Sequence, residues 1–388
     1  MSKKIAITIP TGRPSVKRCV KSFIDNAIHF GHNLKDYSIY LSIDTDYLNT
    51  NESDFKLDSE LERSVKKVEY INSNDRIEIG KEVIGRTEIE SELAEILFVG
   101  RGYSKQRNAV LFKALQDDND IAICFDDDES PYVPMKNRGG VKWVNLDFFG
   151  PHINSISQGA DVTRGPCLGY LSPIPSGIEK RIPKLIRKKL GQALEPGNEV
   201  IDENSFLDVM ERIIYLPNNE LKNPSRPYTV EQGKNGKTIF SGNLGINLNS
   251  VKKGLIPIFF TPPNARGEDT FFALQLNNVN VVEVPSYIFH DPFNLYPDIC
   301  DGKLPEKLKD VNMGRSTALR NALFLILVQE TPLSFLDNSP IDLEVDPISE
   351  FNSSEKHHIF PKKFLSSIGI KEKKVTDLFL NFCLIDSA

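Results

Sequence analysis

Residues 121–128 read IAICFDDD, an apolar run that leads straight into three consecutive aspartates. The apolar part has the length and composition of a buried strand. Three carboxylates at the end of such a strand repel one another and lose hydration, so they need a positive partner. Alternation along the strand end predicts that Asp126 and Asp128 face one cleft, where oxygen ligands suit a hard cation such as Mg²⁺ or Mn²⁺. The alternative for the cluster alone is a solvated turn or a helix cap.

Working outward from this stretch, short β-branched runs alternate with segments of helical spacing. Candidate strands lie at residues 5–10, 37–44, 95–100 and 121–128. A helix is expected at 104–115, and apolar residues between the first two strands also recur at helical spacing: Val16, Cys19, Val20, Phe23, Ile24, Ala27 and Ile28. This order predicts an α/β fold in which helices flank a mostly parallel sheet.

The remaining segments alternate less regularly between strand and helix patterns. Residues 56–92 are charged and weakly periodic, which predicts an exposed insertion or surface helices. Further elements are expected as strand, helix and strand in 141–165, a strand in 238–250, a helix at 270–277, a strand at 279–285 and a long helix at 315–329. Residues 166–228 are rich in proline and glycine, with a basic helix at 184–189, and no role is predicted for them.

The composition is that of an ordinary globular protein of 388 residues, long enough for one large domain with additions or for two domains. A net charge of -6 argues against a general affinity for nucleic acid, so any anion site must be local. The five cysteines are scattered without a CxxC pair, which indicates neither a disulfide framework nor a thiolate zinc site. Because no long apolar run is present either, we expect a cytoplasmic protein without a transmembrane segment.

A series of motifs in chain order resembles the GT-A glycosyltransferases, above all the large inverting family that includes the bacterial polysaccharide synthases. The motifs are ITIPTGRP at 7–14, SIDTD at 42–46, GRGYSKQRNAVLFKAL at 100–115, IAICFDDD at 121–128, FSGNLGINL at 240–248, RGEDTFFALQL at 266–276 and FHDP at 289–292. The resemblance implies the GT-A fold, a Rossmann-like and mostly parallel sheet flanked by helices. A small C-terminal α or α+β extension is expected to follow it.

The resemblance also implies a role for each matched residue. The first motif would supply the nucleotide-binding turn, Asp44 would contact the base, and Arg107 would pair with phosphate or with the aspartates. The implied nucleotide-sugar contacts are Pro10, Thr11, Arg13, Asp44, Arg107, Asp126 and Asp127. The implied metal ligands are Asp128, Asp126 and His290, and the implied catalytic residues are Asp269, as general base, and its neighbour Glu268.

The implied reaction is a metal-dependent, hexosyltransferase-like transfer of sugar from a nucleotide-diphosphate sugar to an acceptor hydroxyl. Mn²⁺ or Mg²⁺ held by Asp128 would neutralise the charge that develops on the leaving diphosphate. Asp269 would take the proton of the attacking hydroxyl, and the anomeric configuration would be inverted. A glycan, a protein or a small molecule is expected as the acceptor in preference to nucleic acid. The donor sugar, the base and the oligomeric state are not predicted.

The tail carries a second resemblance, because EKHHIFPKKFL at 355–365 followed by LFLNFCLID at 378–386 resembles the opening of an HNH nuclease motif. The resemblance implies a metal ligand at His357, a water-activating His358 and a loop-holding Asn381. The final ligand and its helix do not appear, so we expect no nuclease activity from this stretch. Three interpretations stay open: a shortened nuclease module, a degenerate remnant or a chance similarity.

These motifs divide the chain into three parts. Residues 1–310 are expected to form the GT-A catalytic domain, 311–354 a helical closure and linker, and 355–388 the partial HNH-like motif. A different class of function is the alternative: a nucleic-acid defence or modification protein in which the GT-A region senses nucleotides and the tail is an incomplete nuclease. Binding of a nucleotide-sugar or of DNA would distinguish the two.

Overall fold

The computed structural model describes residues 3–86, 91–100, 102–170, 213–233, 236–261, 268–292 and 294–309, and the backbone of 354–358 and 382–386. Contacts divide the chain into two units. The first unit comprises Met1–Leu171, Ile213–Phe260 and Glu268–Asp310, and it holds all the functional residues considered below. In the second unit, Ser354–His358 pairs antiparallel with Phe382–Asp386.

The first unit alternates strands and helices over most of its length. Its strands are β1 (Ile5–Thr11), β2 (Tyr37–Ile43), β3 (Lys67–Ile71), β4 (Ile121–Cys124), β5 (Glu129–Ser130), β6 (Tyr132–Asn137), β7 (Gly140–Asn145), β8 (Val162–Arg164), β9 (Cys167–Gly169), β10 (Tyr228–Thr229), β11 (Leu244–Asn247), β12 (Val281–Glu283) and β13 (Ile288–His290). Its α-helices are α1 (Val16–His29), α2 (Ser59–Ser64), α3 (Ser73–Arg86), α4 (Ser91–Phe98), α5 (Tyr103–Gln116), α6 (Phe149–Ser157), α7 (Leu248–Lys252) and α8 (Glu268–Gln275). Short 3-10 turns lie at Leu34–Asp36, Glu52–Phe55, Ser241–Asn243 and Ile299–Asp301.

Eight of the described strands form the main sheet, in the order β10-β12-β8-β11-β4-β1-β2-β3. The strands β3, β2, β1 and β4 are mutually parallel, whereas β11 runs antiparallel to both of its neighbours, β4 and β8. Parallel neighbours end at the same edge of a sheet, so the residues that follow β1, β2 and β4 come together there. A second sheet has three strands in the order β5-β13-β9. Its strand β5 follows β4 directly along the chain.

Alternating side chains of the central strands supply two apolar cores, one on each face of the sheet. Ile5, Ile7 and Ile9 of β1 pack in the cluster that includes the buried face of α1, while Ala6 packs in the cluster that includes α5. Within the first cluster Phe23 stacks on Phe125 with ring centroids 3.9 Å apart. Each such buried aromatic contributes about 1.5–3 kcal/mol to stability. The packing anchors the chain just before the three aspartates.

The expected mostly parallel sheet flanked by helices is confirmed, as are the strands at β1 and β2 and the helices at α1 and α5. The strand–helix–strand order of 141–165 is also confirmed by β7, α6 and β8, and α8 and β12 follow as expected. The expected helices at 184–189 and 315–329 lie outside the described residues. None of the described helices is both long enough and apolar enough to cross a bilayer.

Two expectations about secondary structure are wrong. Residues 95–100, predicted as a strand, belong mainly to helix α4, which buries Ala94, Leu97 and Phe98 at helical spacing. The short apolar run ILFV fits either a strand or a buried helix, and tertiary packing decides between them. The charged segment 56–92 does contain the expected helices, α2 and α3, but it is not an exposed insertion, because it also contains β3, the edge strand of the main sheet.

Candidate functional site

The three aspartates lie beyond the strand that sequence alternation assigned to them. The pairing of β4 ends at Cys124, and residues 126–129, here called the carboxylate loop, turn into β5. The Asp126 amide donates to Glu129 Oε2 at 2.8 Å, and the Asp291 amide donates to the carbonyl of Asp128 at 3.0 Å. Carboxylate oxygens of Asp126 and Asp128 lie within 4.8 Å of each other. A turn brings these side chains together, whereas the prediction was that strand alternation would do so.

Arg13 neutralises one side of the carboxylate loop. Its Nη1 donates to Asp127 Oδ1 at 2.8 Å and to Asp128 Oδ2 at 2.9 Å, while the Thr11 hydroxyl donates to Asp127 Oδ2 at 2.7 Å. Burial raises the pKa of Asp127 to about 7, with Arg13 opposing and Asp128 reinforcing the shift. For Asp128, burial also favours the neutral acid, but His290 and Arg13 outweigh it and hold its pKa below the ordinary value.

Arg107 neutralises the other side from inside the protein. This side chain of α5 is only 2% exposed, and its Nη2 donates to Asp126 Oδ1 at 2.7 Å. Its Nη1 donates to the Ser241 carbonyl at 3.3 Å, and Nε has no partner. Burial alone would lower the pKa of Arg107, but the charges of Asp126, Glu268 and Asp269 outweigh it and raise that pKa. Arg107 therefore joins the two predicted acidic motifs.

The second acidic motif lies at the start of α8. Burial and the neighbouring Asp269 raise the pKa of Glu268 to about 7. Burial raises the pKa of Asp269 too, although Arg107 and hydrogen bonds from Ser241 partly offset the shift. Asp269 Oδ1 is buried and has no hydrogen-bond partner among the described residues. Glu268 and Asp269 thus lie beside the same buried guanidinium as Asp126.

Glu129 is a member of the site that sequence reasoning missed. It is 1% exposed, Oε1 has no partner, and Oε2 accepts only the Asp126 amide. Burial and the charges of Asp126 and Asp128 raise its pKa well above the ordinary value. A side chain on Gly242 would place Cβ 1.9 Å from Glu129 Oε1, so this glycine makes room for the carboxylate. The available sequence clue was a fourth consecutive acid after the three aspartates.

His290, at the end of β13, presents one ring nitrogen to the loop. Its Nδ1 lies 2.7 Å from the Tyr170 carbonyl, an acceptor, which places the ring proton on Nδ1 in the neutral tautomer. The lone pair of Nε2 is then free and lies 3.8 Å from Asp128 Oδ1. A carbonyl that holds the far nitrogen of an imidazole in this way is typical of metal-ligating histidines.

Asp44 and Pro10 lie at the same edge of the sheet. The Asp44 amide donates to the Thr11 carbonyl at 2.8 Å, and Pro10 pairs with Ser42 across β1 and β2. Asp44 is nearly buried and lies in the field of the fully buried Arg76, a residue that sequence reasoning did not select. The structure therefore places Asp44 and the carboxylate loop on either side of Thr11.

The donor set at the carboxylate loop fits a hard divalent cation. Oxygens of Asp126, Asp128 and Glu129 lie within 4.8 Å of one another. Two oxygens on opposite sides of Mg²⁺ lie about 4.2 Å apart, and Mn²⁺ accepts the same oxygen ligands with an added imidazole. Acids also outnumber cations here: Asp126, Asp127, Asp128, Glu129, Glu268 and Asp269 surround Arg13 and Arg107. A bound cation would relieve this excess of negative charge.

The HNH-like residues cannot be placed in the same way. His357 and His358 lie in the backbone strand Ser354–His358, but their side chains and the whole of Asn381 lie outside the described residues. The nuclease-like resemblance therefore stays a prediction.

Comparison with known proteins gives remote structural likenesses. No protein family and no curated protein matches the sequence. Residues 1–349 of S. aureus TarS are 11% identical, over 89% of this chain and 77% of that one, with a TM-score of 0.40. Glucosyl-3-phosphoglycerate synthase from Mycobacterium tuberculosis, in complex with Mn²⁺ and UDP-glucose, is 12% identical, over 85% and 79%, with a TM-score of 0.36. The mannosyltransferase PcManGT from Pyrobaculum calidifontis, with GDP-Man and Mn²⁺, is 9% identical, over 76% and 59%, with a TM-score of 0.38.

Proposed function

We propose that this chain is a metal-dependent, inverting glycosyltransferase of the GT-A type that uses a nucleotide-diphosphate sugar as donor. One observation carries the proposal: buried Arg107 joins Asp126 of the carboxylate loop to the Glu268–Asp269 motif at the carboxyl edge of a parallel sheet. Ligands of α/β sheets bind at this edge. The motif resemblance supplies the reaction class, and the contact of Arg107 with Asp126 and its charge interaction with Glu268 and Asp269 support the proposal.

In this proposal Asp128 and Asp126 hold Mn²⁺ or Mg²⁺, with Glu129 and His290 Nε2 as further ligands. When bound, the cation supplies charge neutralisation for the leaving diphosphate. Arg13 bridges Asp127 and Asp128. Its planar guanidinium would also suit a phosphate oxygen of the donor. Asp44 would contact the nucleoside across Thr11.

Asp269 would act as the general base. Its buried Oδ1 is unpartnered, and burial holds its pKa above that of an ordinary aspartate, which makes it a better proton acceptor. The Ser241 hydrogen bonds fix its other oxygen, and Arg107 keeps the carboxylate charged. The acceptor hydroxyl would lose its proton to Asp269 as it attacks the anomeric carbon opposite the diphosphate, which inverts the configuration. Glu268 would tune the charge of this pair.

The test is a thermal-shift screen of UDP- and GDP-sugars with the full-length chain, in Mn²⁺ and in EDTA. We expect one class of donor to raise the Tm only with Mn²⁺. Asp128→Ala should abolish this shift, whereas Asp118→Ala, at an exposed residue outside the site, should keep it. Asp269→Asn should keep the shift and lose sugar transfer or donor hydrolysis. A chain that neither binds nor hydrolyses any donor of the panel with Mn²⁺ would refute the proposal.

A further inference from the structure

Two thiols from distant parts of the sequence approach the same backbone oxygen of the carboxylate loop. Cys19 lies on α1 and Cys300 lies in the 3-10 turn Ile299–Asp301. Cys19 Sγ lies 3.4 Å from the Glu129 carbonyl oxygen, and Cys300 Sγ lies 3.6 Å from the same oxygen. Cys19 Sγ also lies 3.4 Å from the Asp126 carbonyl. Both sulfurs therefore support the backbone of the loop.

Neighbouring contacts hold the two elements together. Arg18, next to Cys19, pairs with Asp298 at 3.0 Å and with Asp301 at 3.2 Å, on either side of Cys300. The Ser22 hydroxyl, one turn further along α1, donates to the Cys19 carbonyl at 2.7 Å. Cys19 is buried and Cys300 is partly exposed, so a small molecule in solvent reaches Cys300 first.

The other described cysteines lack this arrangement. Cys124 accepts a hydrogen bond from the Thr8 hydroxyl, and the Cys167 thiol donates to the Leu168 carbonyl. Cys167 is partly exposed like Cys300, but no thiol contact is among its described interactions. It is therefore a matched control for reactivity that depends on exposure alone.

We propose that Cys19 and Cys300 form a redox modification site that hydrogen peroxide converts into a disulfide. Cys300 sulfur attacks a peroxide oxygen, the O–O bond breaks, and a sulfenic acid and water form, the thiol proton leaving with the water. Cys19 sulfur then attacks the sulfenic sulfur, the S–O bond breaks, and the disulfide and a second water form. The two thiols lose two electrons and the peroxide gains them.

The disulfide alters the carboxylate loop through its backbone. Oxidation removes the thiol protons that face the carbonyls of Asp126 and Glu129, and the two sulfurs, which share the Glu129 oxygen in the reduced form, must approach to about 2.05 Å. Loss of one such hydrogen bond corresponds to roughly fivefold in an equilibrium constant. The oxidised form should therefore bind Mn²⁺ about fivefold more weakly. This consequence rests on the proposed function, whereas formation of the disulfide does not.

The first experiment maps the bond without any metal. Full-length protein in EDTA is treated with hydrogen peroxide, alkylated with N-ethylmaleimide, digested and analysed by mass spectrometry. We expect two peptides linked by a disulfide between Cys19 and Cys300, which dithiothreitol should reduce. The pair should persist in Cys167→Ser and be absent from Cys300→Ser, a change at a partly exposed position. Alkylation of both thiols after peroxide treatment, or oxidation of Cys300 to the sulfinic acid without a link, overturns the proposal.

The second experiment measures Mn²⁺ affinity by electron paramagnetic resonance on reduced and oxidised protein. The expected fivefold weakening should reverse with dithiothreitol and be absent from Cys300→Ser. Equal affinity of the two forms would overturn the coupling to the loop. A reduced protein that binds no Mn²⁺ would overturn the proposed function instead. The peptide map would still show whether Cys19 and Cys300 form a disulfide.

Discussion

Two polar clusters of the first unit are built on opposite principles. The carboxylate loop with Arg107, Glu268 and Asp269 concentrates acids, and within the described part of the chain Glu129 Oε1 and Asp269 Oδ1 have no hydrogen-bond partner. A second group, here called the histidine cluster, consists of His152, Thr163 and Asn243. It is more completely buried, and each of its polar side chains has a hydrogen-bond partner.

In the histidine cluster the hydrogen-bond pattern fixes every donor and acceptor. Asn243 Nδ2 donates to the carbonyls of Pro166 and Ser286, so its Oδ1 faces His152 Nε2 at 2.9 Å and accepts from it. His152 Nδ1 then accepts from the Thr163 hydroxyl at 2.8 Å. Burial lowers the pKa of His152 to about 4, so the ring is neutral at physiological pH. This cluster needs no ligand.

The difference teaches how to separate a structural polar group from a functional one. Both clusters are buried, and both would be selected by a search for polar residues in a core. Only the carboxylate loop has excess charge and orphan oxygens, which cost stability unless a ligand compensates them. The excess negative charge that lowers the stability of the loop by itself makes the loop suited to a cation that binds a diphosphate.

The largest expected effect comes from removing the counter-charge of the loop. Arg107→Met should lower the free energy of unfolding by about 3–5 kcal/mol, because it leaves buried carboxylates uncompensated. Urea denaturation measures the loss, and saturating Mn²⁺ should recover part of it. Arg18→Met is the matched control, since Arg18 also pairs with two aspartates but at the surface, where such pairs contribute about 0–1 kcal/mol. Equal losses in the two variants would show that Arg107 is not a buried counter-ion.

A smaller loss is expected from the histidine cluster. His152→Leu should cost about 2–3 kcal/mol, because the Asn243 carbonyl oxygen and the Thr163 hydroxyl lose a partner in the core. Mn²⁺ and donor binding should stay unchanged, which separates this variant from Arg107→Met. His29→Leu, at the exposed end of α1, should stay within about 0.5 kcal/mol of the wild type. A loss of Mn²⁺ binding in a folded His152→Leu protein would contradict a purely structural role.

The smallest effect is a pair of opposite pH dependences in metal-free protein. His152 has a folded pKa of about 4 and an unfolded pKa of 6.5, so only the unfolded chain binds its proton between these values. Its contribution to stability therefore falls as pH falls from 6.5 to 4. Glu268 has a folded pKa of about 7 and an unfolded pKa of 4.5, so only the folded chain binds its proton in that window, and its contribution rises as pH falls from 7 to 4.5.

Each contribution should change by about 3 kcal/mol across its window, but the two changes oppose each other, so their sum is the smallest of the three effects. Denaturation curves at a series of pH values in EDTA would measure them. His152→Leu should remove the acid-side loss, and Glu268→Gln should remove the acid-side gain. Slopes of the same sign in the two variants, relative to the wild type, would show that the two clusters do not differ as described.

Local sequence pattern predicted the parts of the site that depend on strand ends. The apolar run before Asp126 placed the carboxylates at the end of a strand, and periodicity also predicted the strands before Thr11 and Asp44 and the helix that carries Arg107. The choice of Thr11, Asp44 and Arg107 themselves came from the motif resemblance. The strands and the helix follow from periodicity, because a strand or helix that buries one face fixes where its other residues lie.

The remaining features depend on contacts between distant segments, which periodicity does not contain. Glu129 enters the site only because the chain turns back after β4 and Gly242 leaves space for it. The thiols of Cys19 and Cys300 meet through the packing of α1 against a late turn. The edge strand β3 was missed because its residues are mostly half-buried, which blurs the alternation on which strand prediction relies.

The three successive residues of the 3-10 turn Ser241–Asn243 have three different structural roles. Ser241 hydrogen-bonds Asp269 and Arg107, Gly242 leaves room for Glu129, and Asn243 completes the histidine cluster. Inserting or deleting a single residue here would shift all three assignments at once. A mutagenesis library intended to change the ligand specificity of the proposed site should therefore keep this tripeptide fixed and diversify positions elsewhere.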